Sequence, residues 1–215
     1  MSWTPGGTVY GTLLNFQREW ALWRPRMDDK PYLAPPKAPV LYVKTANTFT
    51  PHGGRIALPA GEAVEVAASL GLVMGAHGAP THAVLVNDVS VAHDSYYRPA
   101  IRFRNRDGFL GLGAEPTPIE TLGGIEGLAG LEIELRIHGV HKQTTALKDL
   151  VRGVPQLLLD VAEFMSLQPG DLLLVGSEAL ADGTRPRVVA GDAVEISAPG
   201  LKPAVQVFEE EEVLS

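Results

Sequence analysis

The segment Val86-Asn87-Asp88-Val89-Ser90 ends an apolar run with a carboxylate, and a dense set of polar side chains follows it. These are His93, Asp94, Tyr96, Tyr97 and Arg98, then Arg102, Arg104, Arg106 and Asp107. A carboxylate at the end of a buried strand loses its hydration, so it must be paired, cap a turn or bind a metal. The residues alone leave two chemistries open. Asp88 could tie a turn to an arginine, or it could stand beside an anion site built by several arginines. Guanidinium groups take carboxylates through paired, charge-assisted bonds.

Other catalytic patterns are missing. Gly108-Phe109-Leu110-Gly111-Leu112-Gly113 is glycine-rich, but it opens no helix and no Lys-Ser or Lys-Thr follows it, so it is no phosphate cradle. Gly176-Ser177-Glu178 is not a nucleophile elbow. The six histidines show no paired metal spacing on one helix, and the absence of cysteine excludes a thiolate zinc site, a Cys nucleophile and a disulfide scaffold together.

Composition narrows the class further. The 215 residues carry 18 Lys and Arg against 25 Asp and Glu, a net charge of −7. A protein that neutralises phosphates would show a basic excess, so no nucleic-acid partner is expected. No apolar run is long enough to cross a bilayer. The start Met1-Ser2-Trp3-Thr4-Pro5-Gly6-Gly7 lacks the charged and apolar regions of a secretory signal, and a cytoplasmic location is the expectation. With 23 Gly and 17 Pro, the chain suits many short strands joined by turns better than a helical bundle.

The elements that must position these residues follow from periodicity. Strands are predicted at Thr8–Phe16, Val40–Lys44, Glu65–Gly75, Ala83–Val91, Leu131–Ile137, Leu172–Val175 and Ala193–Ser197, and a turn-rich linker leads to Ile56–Pro59. The alternation of Leu131, Ile133, Leu135 and Ile137 with Glu132, Glu134 and Arg136 is the cleanest in the chain. Gln17–Trp23 reads as a short helix, and five prolines make 24–39 an extended loop. Apolar residues three or four apart predict one long helix over Thr145–Met165, kinked at Pro155. Gly170-Asp171 and Gly191-Asp192 each turn the chain into a strand, and Glu209–Glu212 reads as a solvated acidic tail.

In order along the chain, Leu14-Asn15-Phe16, Val43-Lys44, Leu58-Pro59, Val73-Met74-Gly75 and Asn87-Asp88-Val89-Ser90 resemble the fumarylacetoacetate hydrolase family. The resemblance continues through Arg104–Asp107, Phe109, Gly113, Gln143, Leu167–Asp171 and Val175-Gly176-Ser177. It implies a β-dominated α+β fold, a mixed β-roll of curved sheets with one long outer helix, over a single domain 1–215. Within it, 1–55 would hold N-terminal strands and the proline-rich loop, 56–208 the core and 209–215 the acidic tail. Tyr32-Leu33-Ala34-Pro35-Pro36-Lys37 and Tyr97–Ile101 are similar to the N-terminal repeat of members built from two repeats. Those members decarboxylate and isomerise an unsaturated 2-oxo dicarboxylate in aromatic catabolism.

Active members hold Mg²⁺ or Mn²⁺ with two glutamates one residue apart and the Asp of N-D-x-S, oxygen ligands that suit hard cations. The resemblance places the two glutamates at Ala67 and Ser69, so only Asp88 matches. Glu65 lies two residues off, about 6.6 Å of strand rise, too far for a metal bond without a register change. The family's arginine after N-D-x-S aligns with His93, a glutamine with Tyr96, the active-site lysine with Arg104, and the His and Glu of its lid with Glu19 and Leu22. Arg104, His93 and Tyr96 are the expected substrate-binding residues, Arg104 keeping the positive charge without serving as a proton shuttle. The implied cation would not bind this chain alone. The implied partner is a second copy or a metal-bearing family subunit, with a small dicarboxylate as ligand and neither nucleic acid nor membrane. Three readings stay open: a component working beside a metal-bearing repeat, an autonomous enzyme with altered ligands, and an inactive fold kept for binding or assembly.

Overall fold

The structure is a computed structural model that describes residues 3–97 and 100–211. Its strands, in chain order, are β1 (Val9–Leu13), β2 (Val40–Lys44), β3 (Phe49–Thr50), β4 (Arg55–Leu58), β5 (Val64–Glu65), β6 (Ala68–Met74), β7 (Pro80–Asp88) and β8 (Ser90–Val91). They continue as β9 (Leu110–Leu112), β10 (Thr117–Pro118), β11 (Glu132–Ile137), β12 (Val140–Ala146), β13 (Leu172–Leu174), β14 (Arg187–Val188), β15 (Ala193–Ser197) and β16 (Ala204–Glu210). The helices are α1 (Gln17–Trp23), α2 (Ile101–Arg104), α3 (Gly124–Gly127) and α4 (Val154–Ala162).

A curled eight-stranded sheet runs β2-β1-β13-β6-β7-β9-β3, with β10 on β7. A five-stranded sheet, β12-β11-β15-β16-β4, packs against it, and β14-β5-β8 make a small third sheet. The inner faces share one core that includes Leu70, Leu72, Leu85, Ile133, Leu135, Val194, Ile196 and Phe208. The other face of the large sheet is buried as well, through Val9, Val84, Val86, Leu110, Leu112, Leu172 and Leu174. Burial on both faces explains why β6, β7 and β13 read as continuous apolar runs. Residues 9–50 supply β1 to β3 of the large sheet.

Several expectations hold. The strands Val40–Lys44 and Ala193–Ser197 and the helix Gln17–Trp23 lie at the predicted bounds. The two Gly-Asp turns use one device: Gly170 and Gly191 take φ of 89° and 91°. Each aspartate then accepts the amide three residues back, Gln168 N to Asp171 at 2.7 Å and Val189 N to Asp192 at 2.9 Å.

The long helix is a correction. Thr144 and Thr145 belong to β12, Leu147–Asp149 form one 3₁₀ turn, and only Val154–Ala162 is α-helical. Pro155 stands in the first turn of α4, where its missing N–H has no intrahelical partner to lose. It starts a helix instead of kinking one. The apolar spacing at Leu147 and Leu150 is helical in period but is met by a buried turn.

Glu65–Gly75 is also not one strand. β5 pairs with β14 and β8, Val66 N donates to the Pro186 carbonyl at 2.9 Å, and the chain then enters β6 of the large sheet. The acidic stretch is a third correction. Glu209 and Glu210 close β16, parallel to β4, and Glu209 pairs with Arg55 at 3.0 Å. Glu212 lies outside the described residues.

Candidate functional site

Asp88 sits where the large sheet hands over to the small one. Ala68 pairs with Asn87 and Ser69 with Val86. The next pair is Ala67 with Asp88, whose amide donates to the Ala67 carbonyl at 2.9 Å. Cross-strand partners point to the same face, so Ala67, Ser69 and Asp88 share one. Tyr42 and Lys44 share it through Tyr42–Gly11 and Lys44–Val9. Gly11 makes this possible, since any side chain there would collide with the Tyr42 ring.

Three side chains then close on one carboxylate. Lys44 Nζ lies 3.0 Å from Asp88 Oδ1, and Arg104 donates to Oδ2 at 2.8 Å. The Tyr42 hydroxyl also donates to Oδ2, and the Arg104 guanidinium stacks over the Tyr42 ring at 4.6 Å. The three protons of the Lys44 ammonium go to the carbonyls of Val89, Arg104 and Phe109, each at 2.7 Å. Lys44 therefore gives Asp88 charge without a hydrogen bond. Asp88 and Arg104 are 3% exposed and Lys44 1%, so water screens little of this.

The ionisation states follow. Burial alone would raise the Asp88 carboxyl, but Lys44 and Arg104 outweigh it and hold it below the usual range. Burial lowers the Lys44 ammonium to about 8, Asp88 opposing the fall. Burial, then the Asp88 charge, push the Tyr42 phenol well up, so it stays a donor.

A cleft of 420 Å³ opens beside this cluster, lined among others by Trp23, His93, Tyr96 and Arg185. One wall is α1. Its Glu19, 2% exposed, grips Arg185 and accepts from the Tyr96 hydroxyl at 2.8 Å and from Leu14 N at 2.9 Å. The Glu19 amide in turn donates to Glu178 Oε1 at 3.1 Å. The helix is thus latched to the 177–185 loop. Burial would lower Arg185, but the Glu19 carboxylate overrides it and holds the guanidinium above its ordinary value. Burial and Glu19 raise the Tyr96 phenol to about 12. His93 donates from Nδ1 to the Val91 carbonyl at 2.9 Å and stacks on Phe103, ring centroids 4.9 Å apart. Burial pushes its pKa down, which leaves a neutral ring with the lone pair on Nε2.

Of the residues singled out by sequence, Asp88 and Arg104 meet directly, while His93 and Tyr96 line the cleft. Arg104 is held beneath that cleft and does not line it. Arg106 pairs with Glu62, Arg102 lies over Phe103, and Arg98 is outside the described residues. Glu65 turns to Arg187, Nε to Oε1 3.7 Å. The sequence reading gave no role to Lys44, Tyr42 or Arg185. Lys44 carried a usable signal, a lone charge at the end of the apolar strand Val40–Lys44, which is the argument already applied to Asp88.

The family model for the fumarylacetoacetate (FAA) hydrolase C-terminal domain matches residues 8–208, and the chain belongs to this family. It is 35% identical over 210 residues to the 4-hydroxyphenylacetate degradation bifunctional isomerase/decarboxylase of Salmonella dublin, covering 93% of this chain and 46% of that one. The chain spans about half the length of the curated relatives of this kind that it matches. Its fold is that of 5-carboxymethyl-2-hydroxymuconate delta-isomerase from Mycobacterium smegmatis, with a TM-score of 0.76 at 19% identity over 98% of this chain and 79% of that one. It is likewise that of fumarylpyruvate hydrolase from Pseudomonas aeruginosa in complex with Mn²⁺ and pyruvate, with a TM-score of 0.74 at 17% identity over 95% and 90%.

The residues of this chain do not fit such a cation. Asp88 Oδ1 is buried and accepts no hydrogen bond, which would suit a metal, but the Lys44 ammonium already stands against it. Ala67 has no ligand atom in its side chain, and the Ser69 hydroxyl donates to the Gly176 carbonyl at 2.6 Å. Among the described residues no three His, Asp or Glu side chains converge. One carboxylate between two fixed cations leaves the cluster at +1, which repels a divalent ion.

Proposed function

We propose that this chain is the N-terminal-type component of a 2-oxo dicarboxylate isomerase/decarboxylase of 4-hydroxyphenylacetate catabolism, acting beside a metal-bearing family repeat. One observation carries this reading: the chain matches about half of the bifunctional relatives along nearly its whole length while lacking carboxylates at 67 and 69. A cation on the partner repeat would chelate the 2-oxo acid and stabilise the enolate formed as CO₂ or a proton leaves. In this chain His93 and Tyr96 are the proposed contacts for a small dicarboxylate, and Arg104 sets the positive charge beneath them. Position supports the assignment, since His93 stacks on Phe103, the residue before Arg104.

The internally paired Asp88 favours a second reading, an inactive repeat kept for binding or assembly. Co-purification with a chain that carries E-x-E and N-D-x-S, followed by turnover of an unsaturated 2-oxo dicarboxylate, separates the two. Turnover by the pair that exceeds that of the metal-bearing chain alone supports the first. Equal turnover supports the second, and full turnover by this chain alone refutes both.

A further inference from the structure

We infer that Lys44 and Arg104 take over the electrostatic work of a divalent cation at Asp88, so that the chain is stabilised at this point by its own side chains and is indifferent to metal. This is read on the one chain and does not depend on any partner.

The geometry is that of a filled site. A divalent ion on a carboxylate supplies positive charge and fixes the oxygens in place. Here Lys44 supplies charge at Oδ1 from 3.0 Å, and Arg104 supplies charge and a hydrogen bond at Oδ2 from 2.8 Å. The Tyr42 hydroxyl adds a second donor at Oδ2. Lys44 is itself immobilised by three carbonyls from three separate stretches, Val89, Arg104 and Phe109. The cluster therefore joins β2, the β7–β8 junction, α2 and the turn into β9. Two rigid cations in fixed positions leave neither the charge nor the space that an added ion needs.

Removing Asp88 should thus expose two uncompensated buried cations. Breaking one partner out of a buried pair costs enough to lower the melting temperature of a chain this size by about 6–20 °C. A metal-ligand role makes the opposite demand: Asp88 would matter only when the ion is present.

The test is thermal unfolding of the full chain in EDTA, in millimolar Mg²⁺ and in millimolar Mn²⁺, for the wild type, Asp88→Asn and Asp88→Asn/Arg104→Gln. The wild-type Tm is expected to be the same in all three solutions. Asp88→Asn should fall by the stated amount in each, and the double variant should recover part of the loss because one excess cation is gone. A Mn²⁺-dependent rise in wild-type Tm that Asp88→Asn abolishes would overturn the inference, as would an Asp88→Asn chain as stable as the wild type. If Asp88→Asn does not accumulate folded, a wild-type titration followed by the electron paramagnetic resonance of free Mn²⁺ decides. An undiminished signal supports the inference, and a stoichiometric loss refutes it.

Discussion

Ala67 stands directly across the strand from Asp88, joined to it by the Asp88 N–H to Ala67 carbonyl bond of 2.9 Å. A carboxylate at 67 would therefore project beside Asp88 on the same face, with 69 the next position along it. Ala67→Glu with Ser69→Glu would turn the local charge from +1 to −1, since two carboxylates join one against the two fixed cations. The double variant is expected to gain stoichiometric Mn²⁺ binding that the wild type lacks, at some loss of stability because both positions are buried. Isothermal titration calorimetry checks this. Two wild-type-like traces would mean that the missing carboxylates are not what excludes the ion.

The Lys44 ammonium should titrate at about 8, below the ordinary lysine value of 10.5. The unfolded chain keeps that proton to higher pH than the folded one. Between about 8 and 10.5 the unfolded state thus binds more protons, and the contribution of this group to stability rises with pH. Urea unfolding should show the wild type gaining stability relative to Lys44→Met as the pH rises through this window. Nitrogen-15 detection of the Lys44 side chain gives the midpoint, and a value near 10.5 would remove the basis of the argument.

Glu19 is the latch of α1. Replacing it by Gln keeps the shape but leaves Arg185 without its carboxylate, a loss of about 3–5 kcal/mol for a buried pair. Amide exchange in Gln17–Trp23 is expected to speed up more than exchange in β6 and β7, because the latch holds the helix and not the sheet. Uniform acceleration would show a general loss of stability instead.

Association is expected, either as a dimer or with a metal-bearing repeat. β12 and β4 are the edges of the five-stranded sheet, and unpaired strand edges seek partners. Light scattering at high concentration checks this. A species of 23.0 kDa, unchanged by a candidate partner, would count against it.

Much of this molecule is local in origin and could be read from the chain. Asp88 declared itself by being a charge at the end of an apolar strand, and the alternation of Ile133, Leu135 and Ile137 against Glu132, Glu134 and Arg136 assigned one face of β11 directly. The absence of carboxylates at 67 and 69 is equally a property of the sequence. Tertiary structure decided the rest. Pro155 can kink a helix or start one, and the choice fell to the β11–β12 hairpin, whose pairing of Thr144 and Thr145 with Glu134 and Ile133 overrides the helical spacing that begins there. Lys44, Asp88 and Arg104 are separated by 44 and 16 residues, and Glu19 and Arg185 by 166. No periodicity links such positions. They meet because β1 pairs in parallel with β13 and the large sheet curls, and burial then requires each charge to find the opposite one.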